Sequence, residues 1–266
     1  MPELPEVETI RRDLQKVILG KKITRVCVHN PMVIREPSPT VFEKNLKGLV
    51  IKKILRKGKL LIVELSNGSA LTVHLKMTGQ LVFPGGSKSS RVAFYLSGGK
   101  ILDFNDQRLF GELRLVDDWR KIKFVQRLGP EPFDLTYGDF RDMLSKKKTE
   151  IKPLLMDQSF ISGIGNLYAS EILFRAKIDP WRPALSLSAE ETKALYKEIR
   201  GVLNSAITHG GSSVDDYVRL SGKPGSYVKL HRVYGRQGLP CFTCKSLIKR
   251  ITQAGRGTFF CPKCQR

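Results

Sequence analysis

The chain has 266 residues, 41% of them apolar, with 46 Lys and Arg against 25 Asp and Glu, a net charge of +21 and a pI of about 9.9. This content supports real hydrophobic cores and excludes a disordered basic tail, and the longest apolar runs, such as residues 60–63, are too short to span a bilayer. The opening residues are acidic and lack an apolar stretch, so no signal peptide is expected; a soluble intracellular chain this basic points to a polyanionic partner, nucleic acid before a membrane surface.

Residues 5–19 read as a helix. Pro5 suits its first turn, Glu6 and Glu8 favour its positive end, Val7, Ile10, Leu14 and Val17 recur at helical spacing, and Gly20 marks the stop. The period then shortens. Residues 23–29, 49–55, 60–65, 70–75, 92–96, 101–104 and 113–116 are short and β-rich, with Asn67-Gly68 and Gly98-Gly99 as hairpin turns, a spacing that predicts a β-sandwich. Cys27 falls in one of these strands as a small buried apolar residue. The two prolines of residues 128–133 (LGPEPF) predict a linker. Beyond it the pattern is helical: residues 163–166 (GIGN) precede a helix over 167–175, and Ser188 with Glu191 fits a capping box for a helix running to about residue 207. A small cysteine-bearing unit starts near Tyr234. The expected fold is α+β in two domains, an N-terminal β-sandwich with flanking helices and a C-terminal helical domain carrying a zinc-finger hairpin. The expected boundaries are 1–132, 133–233 and 234–266.

Cys241-x2-Cys244 and Cys261-x2-Cys264 have the spacing of a closed four-thiolate zinc site, with no open position for catalysis. One structural zinc ion is therefore expected. Between the pairs, Lys249, Arg250 and Arg256 are expected at the tip of a β-hairpin, with Gly255 and Gly257 beside Arg256. A hairpin made rigid by zinc suits an arginine set on a phosphate or sugar; a solvated turn is the lesser alternative. Asp216 is the last acidic residue, and the fifty that follow hold eleven Lys and Arg.

At the other end, loss of Met1 would leave Pro2 as a free secondary amine, a usable nucleophile near neutral pH that can form an iminium with a sugar carbon. Glu3 beside it could move protons. From these residues alone, a plain lead-in to the helix is the favoured reading, because chain termini are usually inert.

Residues 2–9 (PELPEVET) resemble the N-terminus of bacterial formamidopyrimidine-DNA glycosylase, and residues 254–265 (AGRGTFFCPKCQ) resemble that family's zinc finger. Between them, residues 128–133 and 163–171 (GIGNLYASE) are similar to its linker and its helix–two-turn–helix, in the same order and over essentially the whole chain. The resemblance implies a base-excision-repair DNA glycosylase that removes oxidised purines, 8-oxoguanine and formamidopyrimidines, and nicks the abasic strand by β,δ-elimination. Pro2 would attack C1′, Glu3 would transfer protons, Lys59 in RKGKLL would serve β-elimination, and Arg256 would contact phosphate and serve δ-elimination. Met77 in HLKMTG, and Arg108 and Phe110 in NDQRLFG, match the side chains that fill the hole left by an extruded nucleotide; from the residues alone, Met77 and Phe110 read as core and Arg108 as surface charge. Asn166, Lys147 and Lys152 match phosphate-binding positions, and residues 221–227 (SGKPGSY) align with the lesion-recognition loop.

Some positions depart from the family pattern. Arg91 stands where many members carry a DNA-contacting His, Gln107 and Leu109 replace a proline and a basic residue, and Lys76 precedes Met77 where Gly or Arg is common. The implied partner is damaged double-stranded DNA, bound by a monomer in the bacterial cytoplasm at the nucleoid, with no membrane association. A sister class that removes oxidised pyrimidines and a non-catalytic damage binder are the alternatives. Leu4 and the conventional zinc finger favour purines, and intact Pro2 and Glu3 favour an enzyme.

Overall fold

The computed structural model describes every residue except Asp215. The first helix, α1, spans Leu4–Val17 and buries Val7, Ile10 and Leu14 as the spacing predicts, together with Leu4, while Val17 is half-buried. Around it lies a two-sheet sandwich. One antiparallel sheet runs in the order β1 (Ile23–Val28), β7 (Ser90–Leu96), β8 (Lys100–Asp106), β6 (Gly79–Val82). The other runs β2 (Ile34–Glu36), β9 (Glu112–Val116), β5 (Ala70–His74), β4 (Leu60–Leu65), β3 (Ile51–Lys57), and is antiparallel except for the parallel β2–β9 pair. Val92, Phe94 and Phe104 from the first sheet and Ile54, Val63, Val73 and Leu113 from the second share one core with α1 and with helix α2 (Pro39–Leu46). The alternation of apolar residues in these strands is what that shared core requires.

β4 departs from alternation because both of its faces are covered. Leu61 and Val63 face the shared core, while Leu60 and Ile62 pack with Val125 and with Trp119, Ile122 and Phe124 from the stretch that ends in the short helix α3 (Lys123–Gln126). Strands β2 and β6 and helix α2 are not in the sequence reading; the strands are three and four residues long, below the length at which period 2 is visible.

The chain forms two compact units, residues 1–126 with 207–228, and 127–206 with 229–266. Segment 207–228, which the sequence reading leaves with the helical domain, is built into the first unit. Tyr217 and Leu220 enter its core, Ser212 N–H donates to Glu6 Oε1 at 2.9 Å, and Arg219 pairs with Asp13 at 3.1 Å. These contacts join residues about two hundred positions apart, which no local pattern encodes.

The second unit begins with residues 128–133, which are pinned rather than loose. Gly129 N–H donates to Gln158 O at 2.8 Å, Ser162 N–H to Pro130 O at 3.0 Å, and Arg200 Nη1 to Phe133 O at 2.9 Å. Helices α4 (Tyr137–Leu144), α5 (Ile151–Met156), α6 (Asn166–Ala176) and α7 (Ala189–Thr208) follow. The expected capping box starts α7: Glu191 N–H donates to Ser188 Oγ at 3.2 Å and Ser188 N–H to Glu191 Oε2 at 2.8 Å. α6 is buried on nearly every side and ends at Lys177, whose φ of 60° is left-handed. Hairpin β10 (Lys249–Gln253) and β11 (Arg256–Phe260) packs on it, with Phe174, Val233 and Ile248 around Cys241 and Cys261.

Candidate active site and zinc centre

Pro2 and Glu3 are buried at the start of α1, and Glu3 is only 4% exposed. Glu3 N–H donates to Glu6 Oε2 at 2.8 Å, the return half of a capping box. With its other oxygen on Ser212, Glu6 ties this end of the helix to the 207–228 segment. Four polar residues, Glu3, Glu6, Glu8 and Thr9, are buried at this helix start, and burial of such groups requires partners; Thr9 Oγ1 donates to Pro5 O at 2.8 Å.

Lys59 lies on the two-residue turn Gly58-Lys59 that joins β3 to β4, with Gly58 at a φ of 56°. The lysine is 9% exposed, a low value for a turn residue. Arg56 fixes this turn to the helix: its guanidinium donates to Gly58 O at 2.9 Å and pairs with Glu8 of α1 at 3.3 Å. Burial works against the Glu8 charge, but hydrogen bonds from Arg11 and Arg12 and the charges of Arg11 and Arg56 outweigh it and hold the carboxyl at about 2. Glu8 therefore stays an anion that anchors three arginines.

Next to Leu60 across the ladder stands His74, at the end of β5. Burial, and then the charge of Lys76, lower its imidazole to about 3, so it is neutral. Its Nδ1 accepts the Lys76 N–H at 3.1 Å and so shapes the turn that presents Met77. Lys76 sits at a φ of 53°, a conformation that explains why glycine suits this position.

Met77 and Phe110 correct the reading from composition: neither is core. Met77 is 37% and Phe110 48% exposed, and the exposed Arg108 stacks its guanidinium 4.7 Å over the Phe110 ring. Leu109 between them is left-handed, with a φ of 57°. Beneath these side chains Asp106 is buried and accepts hydrogen bonds from Thr78, from Arg108 N–H at 3.2 Å and from Gly111 N–H at 2.6 Å. Arg91, half-buried on β7, donates from Nε to Asp106 O at 2.9 Å.

In the second unit Asn166 is the first residue of α6, preceded by Gly163 at a φ of 96° and by Gly165 as N-cap. Its Nδ2 donates to Gly257 O at 3.0 Å and its Oδ1 accepts from Lys152 Nζ at 2.6 Å. Lys152 is 1% exposed and also donates to Thr258 Oγ1 at 2.8 Å, so it stands behind Asn166 and not on the surface. Lys147 is exposed, its ammonium 6.0 Å from the Phe160 ring centre. Gln253 continues the buried network: it accepts from Thr258 Oγ1 at 3.2 Å and donates to Glu150 Oε2 at 2.7 Å.

Arg256 is exposed and opens β11, directly after the turn residues Ala254 and Gly255, both left-handed with φ of 45° and 72°. Lys249 and Arg250 are not at this tip. They pair with Phe260 and Phe259 at the open end of the hairpin, and the Arg250 side chain lies across Gly257, where a Cβ would come within 2.7 Å of its Nε.

The four cysteines meet. Their sulfurs lie within 4.8 Å of one another, with Cys241–Cys264 at 3.9 Å and Cys244–Cys261 at 3.4 Å, close to the roughly 3.8 Å edge of a zinc–thiolate tetrahedron. Burial and then the neighbouring sulfurs push the Cys264 thiol up, the repulsion that a divalent cation relieves. The residues fit one structural zinc ion. Cys27 is half-buried, not buried.

The sequence alone does not single out Arg56, His74, Asp106, Thr78 and Gln253. Arg56 had a signal, its place in the basic turn 56–59; the others act through hydrogen bonds that only the assembled loops create, as does the second bond of Glu6, to Ser212.

The chain thus combines a sandwich carrying a buried Pro-Glu helix start, a helical unit and a four-thiolate hairpin fit for zinc. Three family models match in chain order: the formamidopyrimidine-DNA glycosylase N-terminal domain over residues 1–113, the formamidopyrimidine-DNA glycosylase H2TH domain over 128–218, and a zinc finger found in FPG and IleRS over 238–266. Formamidopyrimidine-DNA glycosylases of Pelotomaculum thermopropionicum and Desulforamulus reducens are each 42% identical to this chain, over all of it and 99% of their own length. The chain thus belongs to the formamidopyrimidine-DNA glycosylase family, and is an enzyme. Among solved structures, MutM (Fpg) of Thermus thermophilus matches with a TM-score of 0.89 and 41% identity, covering 99% of this chain and 98% of that one. A Lactococcus lactis FPG mutant in complex with Fapy-dG-containing DNA matches with a TM-score of 0.91 and 35% identity over 100% of both chains. Among the described residues, no helix is long and apolar enough to cross a membrane.

Proposed function

We propose that this enzyme excises oxidised purines from duplex DNA through a Schiff base at Pro2 and then cuts the abasic strand. The observation that carries the reading is the start of α1: Pro2 and Glu3 buried together, with Lys59 on a turn that Arg56 ties to the same helix through Glu8. After removal of Met1, the Pro2 nitrogen lone pair attacks C1′ of the damaged nucleotide. The C1′–N9 pair leaves with the base, which takes up the proton that the Pro2 nitrogen gives up, so that the nitrogen regains a lone pair. Proton donation from Glu3 to the ring oxygen lets the C1′–O4′ bond open, leaving the iminium. Loss of a C2′ proton then expels the 3′ phosphate, the step assigned to Lys59, and a second elimination assisted by Arg256 expels the 5′ phosphate. Water then hydrolyses the Schiff base, freeing Pro2 and releasing the sugar remnant as an unsaturated five-carbon aldehyde; the other products are a free base and a one-nucleotide gap with phosphates at both ends.

Extrusion of the target leaves a hole in the stack, and Met77 on one turn and the stacked Arg108 and Phe110 on another, all exposed in the first unit, are suited to fill it. In the second unit Asn166, Lys147, Arg256 and the N-terminal amides of α6 would hold phosphates without reading sequence, with Lys152 fixing Asn166. Solved relatives in complex with Fapy-dG-containing DNA and with abasic-site DNA support the substrate class.

The test is borohydride trapping on a lesion panel. Protein whose intact mass lacks Met1 is expected to form a covalent adduct with 8-oxoguanine and abasic duplexes, and Pro2→Gly to lose the excision adduct. No adduct from the Met1-free protein would overturn the mechanism, and faster cleavage of thymine-glycol than of 8-oxoguanine duplexes would move the substrate to oxidised pyrimidines.

A further inference from the structure

Met77 and the Arg108–Phe110 pair sit on different turns, one after β5 and one after β8, separated by about thirty residues of chain. A pair of buried side chains joins the two turns. The Thr78 hydroxyl donates to Asp106 Oδ1 and accepts the Arg108 N–H at 3.1 Å. Asp106 Oδ1 shares that same N–H at 3.2 Å, while Asp106 Oδ2 takes the Gly111 N–H at 2.6 Å. Asp106 is 2% and Thr78 6% exposed, so water cannot take over these bonds. Each group touches one neighbour of a wedge residue: Thr78 follows Met77, Arg108 carries the guanidinium, and Gly111 follows Phe110. The turns are also closed sterically. A Cβ on Gly79 would meet Leu75 O at 2.4 Å, and one on Gly111 would meet Phe104 Cζ at 2.6 Å and Asp106 Oδ2 at 2.8 Å.

We infer that Asp106 and Thr78 are positioning residues that make the two turns a single rigid wedge, so that Met77 enters the duplex together with Arg108 and Phe110. The inference rests on the proposed glycosylase reading and adds to it the device that couples the void-filling side chains. A carboxylate is suited to the role because it accepts three or four hydrogen bonds at once, and the threonine hydroxyl because it donates and accepts at one atom. Asp106 acts through geometry, since its side chain is only 2% exposed and its oxygens are taken up by Thr78, Arg108 and Gly111.

The experiment separates wedging from chemistry. Borohydride trapping is timed on an 8-oxoguanine duplex and on a single-stranded oligonucleotide with a preformed abasic site, which has no stack to open. Wild type is compared with Asp106→Asn, Thr78→Val and Thr78→Ser, and 2-aminopurine beside the lesion reports the opening of the stack. Asp106→Asn and Thr78→Val are expected to slow duplex trapping about tenfold or more, equivalent to about 1.4 kcal/mol in the barrier, with a smaller 2-aminopurine rise. Thr78→Ser restores both readouts to within about twofold of wild type, and single-stranded trapping stays within about twofold for all three, which also shows that the variants fold. Combining Asp106→Asn with Thr78→Val adds little to either change alone. Duplex trapping by Asp106→Asn at the wild-type rate, equal slowing by Thr78→Ser and Thr78→Val, or a parallel fall in single-stranded trapping would each overturn the coupling. A wild-type protein that traps neither substrate would overturn the glycosylase reading and the coupling with it, whereas normal wild-type trapping with unaffected variants overturns the coupling alone.

Discussion

Glu8 and His74 set how the first unit responds to acid. His74 is neutral when folded and has a pKa lowered to about 3, so below its ordinary value of 6.5 the unfolded chain takes up a proton that the fold refuses. Its contribution is fully present above pH 6.5 and is lost as pH falls toward 3. Glu8, lowered from 4.5 to about 2, contributes above pH 4.5 and loses that contribution as pH falls toward 2. Both act in the same direction, and His74 acts first. Between pH 6.5 and pH 5 the His74 linkage amounts to roughly 2 kcal/mol. His74→Asn keeps an acceptor near the Lys76 N–H and removes the titration. Its urea midpoint should change far less than that of wild type between pH 7 and pH 5, and an equal change would assign the acid loss elsewhere.

At the scale of elements, the turns carry more information than the strands. Gly111 closes the turn behind Phe110, and Gly111→Ala would drive a methyl into the Phe104 ring and the Asp106 carboxylate. Neither neighbour is the free end of a flexible chain, so a loss of about 2 kcal/mol is expected, read as a lower urea midpoint. The sequence made α1, the long strands, the two glycine hairpins and the α7 cap legible because their signals are periodic or lie within four residues. It made the zinc ligands legible because thiolate spacing is itself local. It did not show that Met77 and Phe110 are exposed, since an apolar side chain on a turn looks the same as one in a core until the turn's hydrogen bonds are known. Nor did it show Lys152 buried behind Asn166, because the partner that permits this, Thr258, lies 106 residues further along the chain.

For the whole molecule, the +21 charge divides into about +10 over the first 216 residues and +11 over the last fifty. The zinc-bearing part of those fifty is ordered by four sulfurs and by the Gln253 and Thr258 bonds to the helical unit. Duplex affinity should therefore fall steeply with salt, with a log–log slope of about −0.9 per phosphate neutralised. Cys244→Ser, or removal of zinc by a chelator, should weaken binding and flatten the slope by one or more contacts. An unchanged slope in the zinc-free protein would place the phosphate contacts outside the finger.

The return of residues 207–228 to the first unit has a consequence for synthesis. The polypeptide leaves that unit at residue 126, builds most of the helical one, and only then delivers Tyr217, Leu220 and the amide that meets Glu6. On the ribosome the sandwich must wait, its core open, until some hundred further residues have emerged. A fragment ending at residue 132 would never receive them.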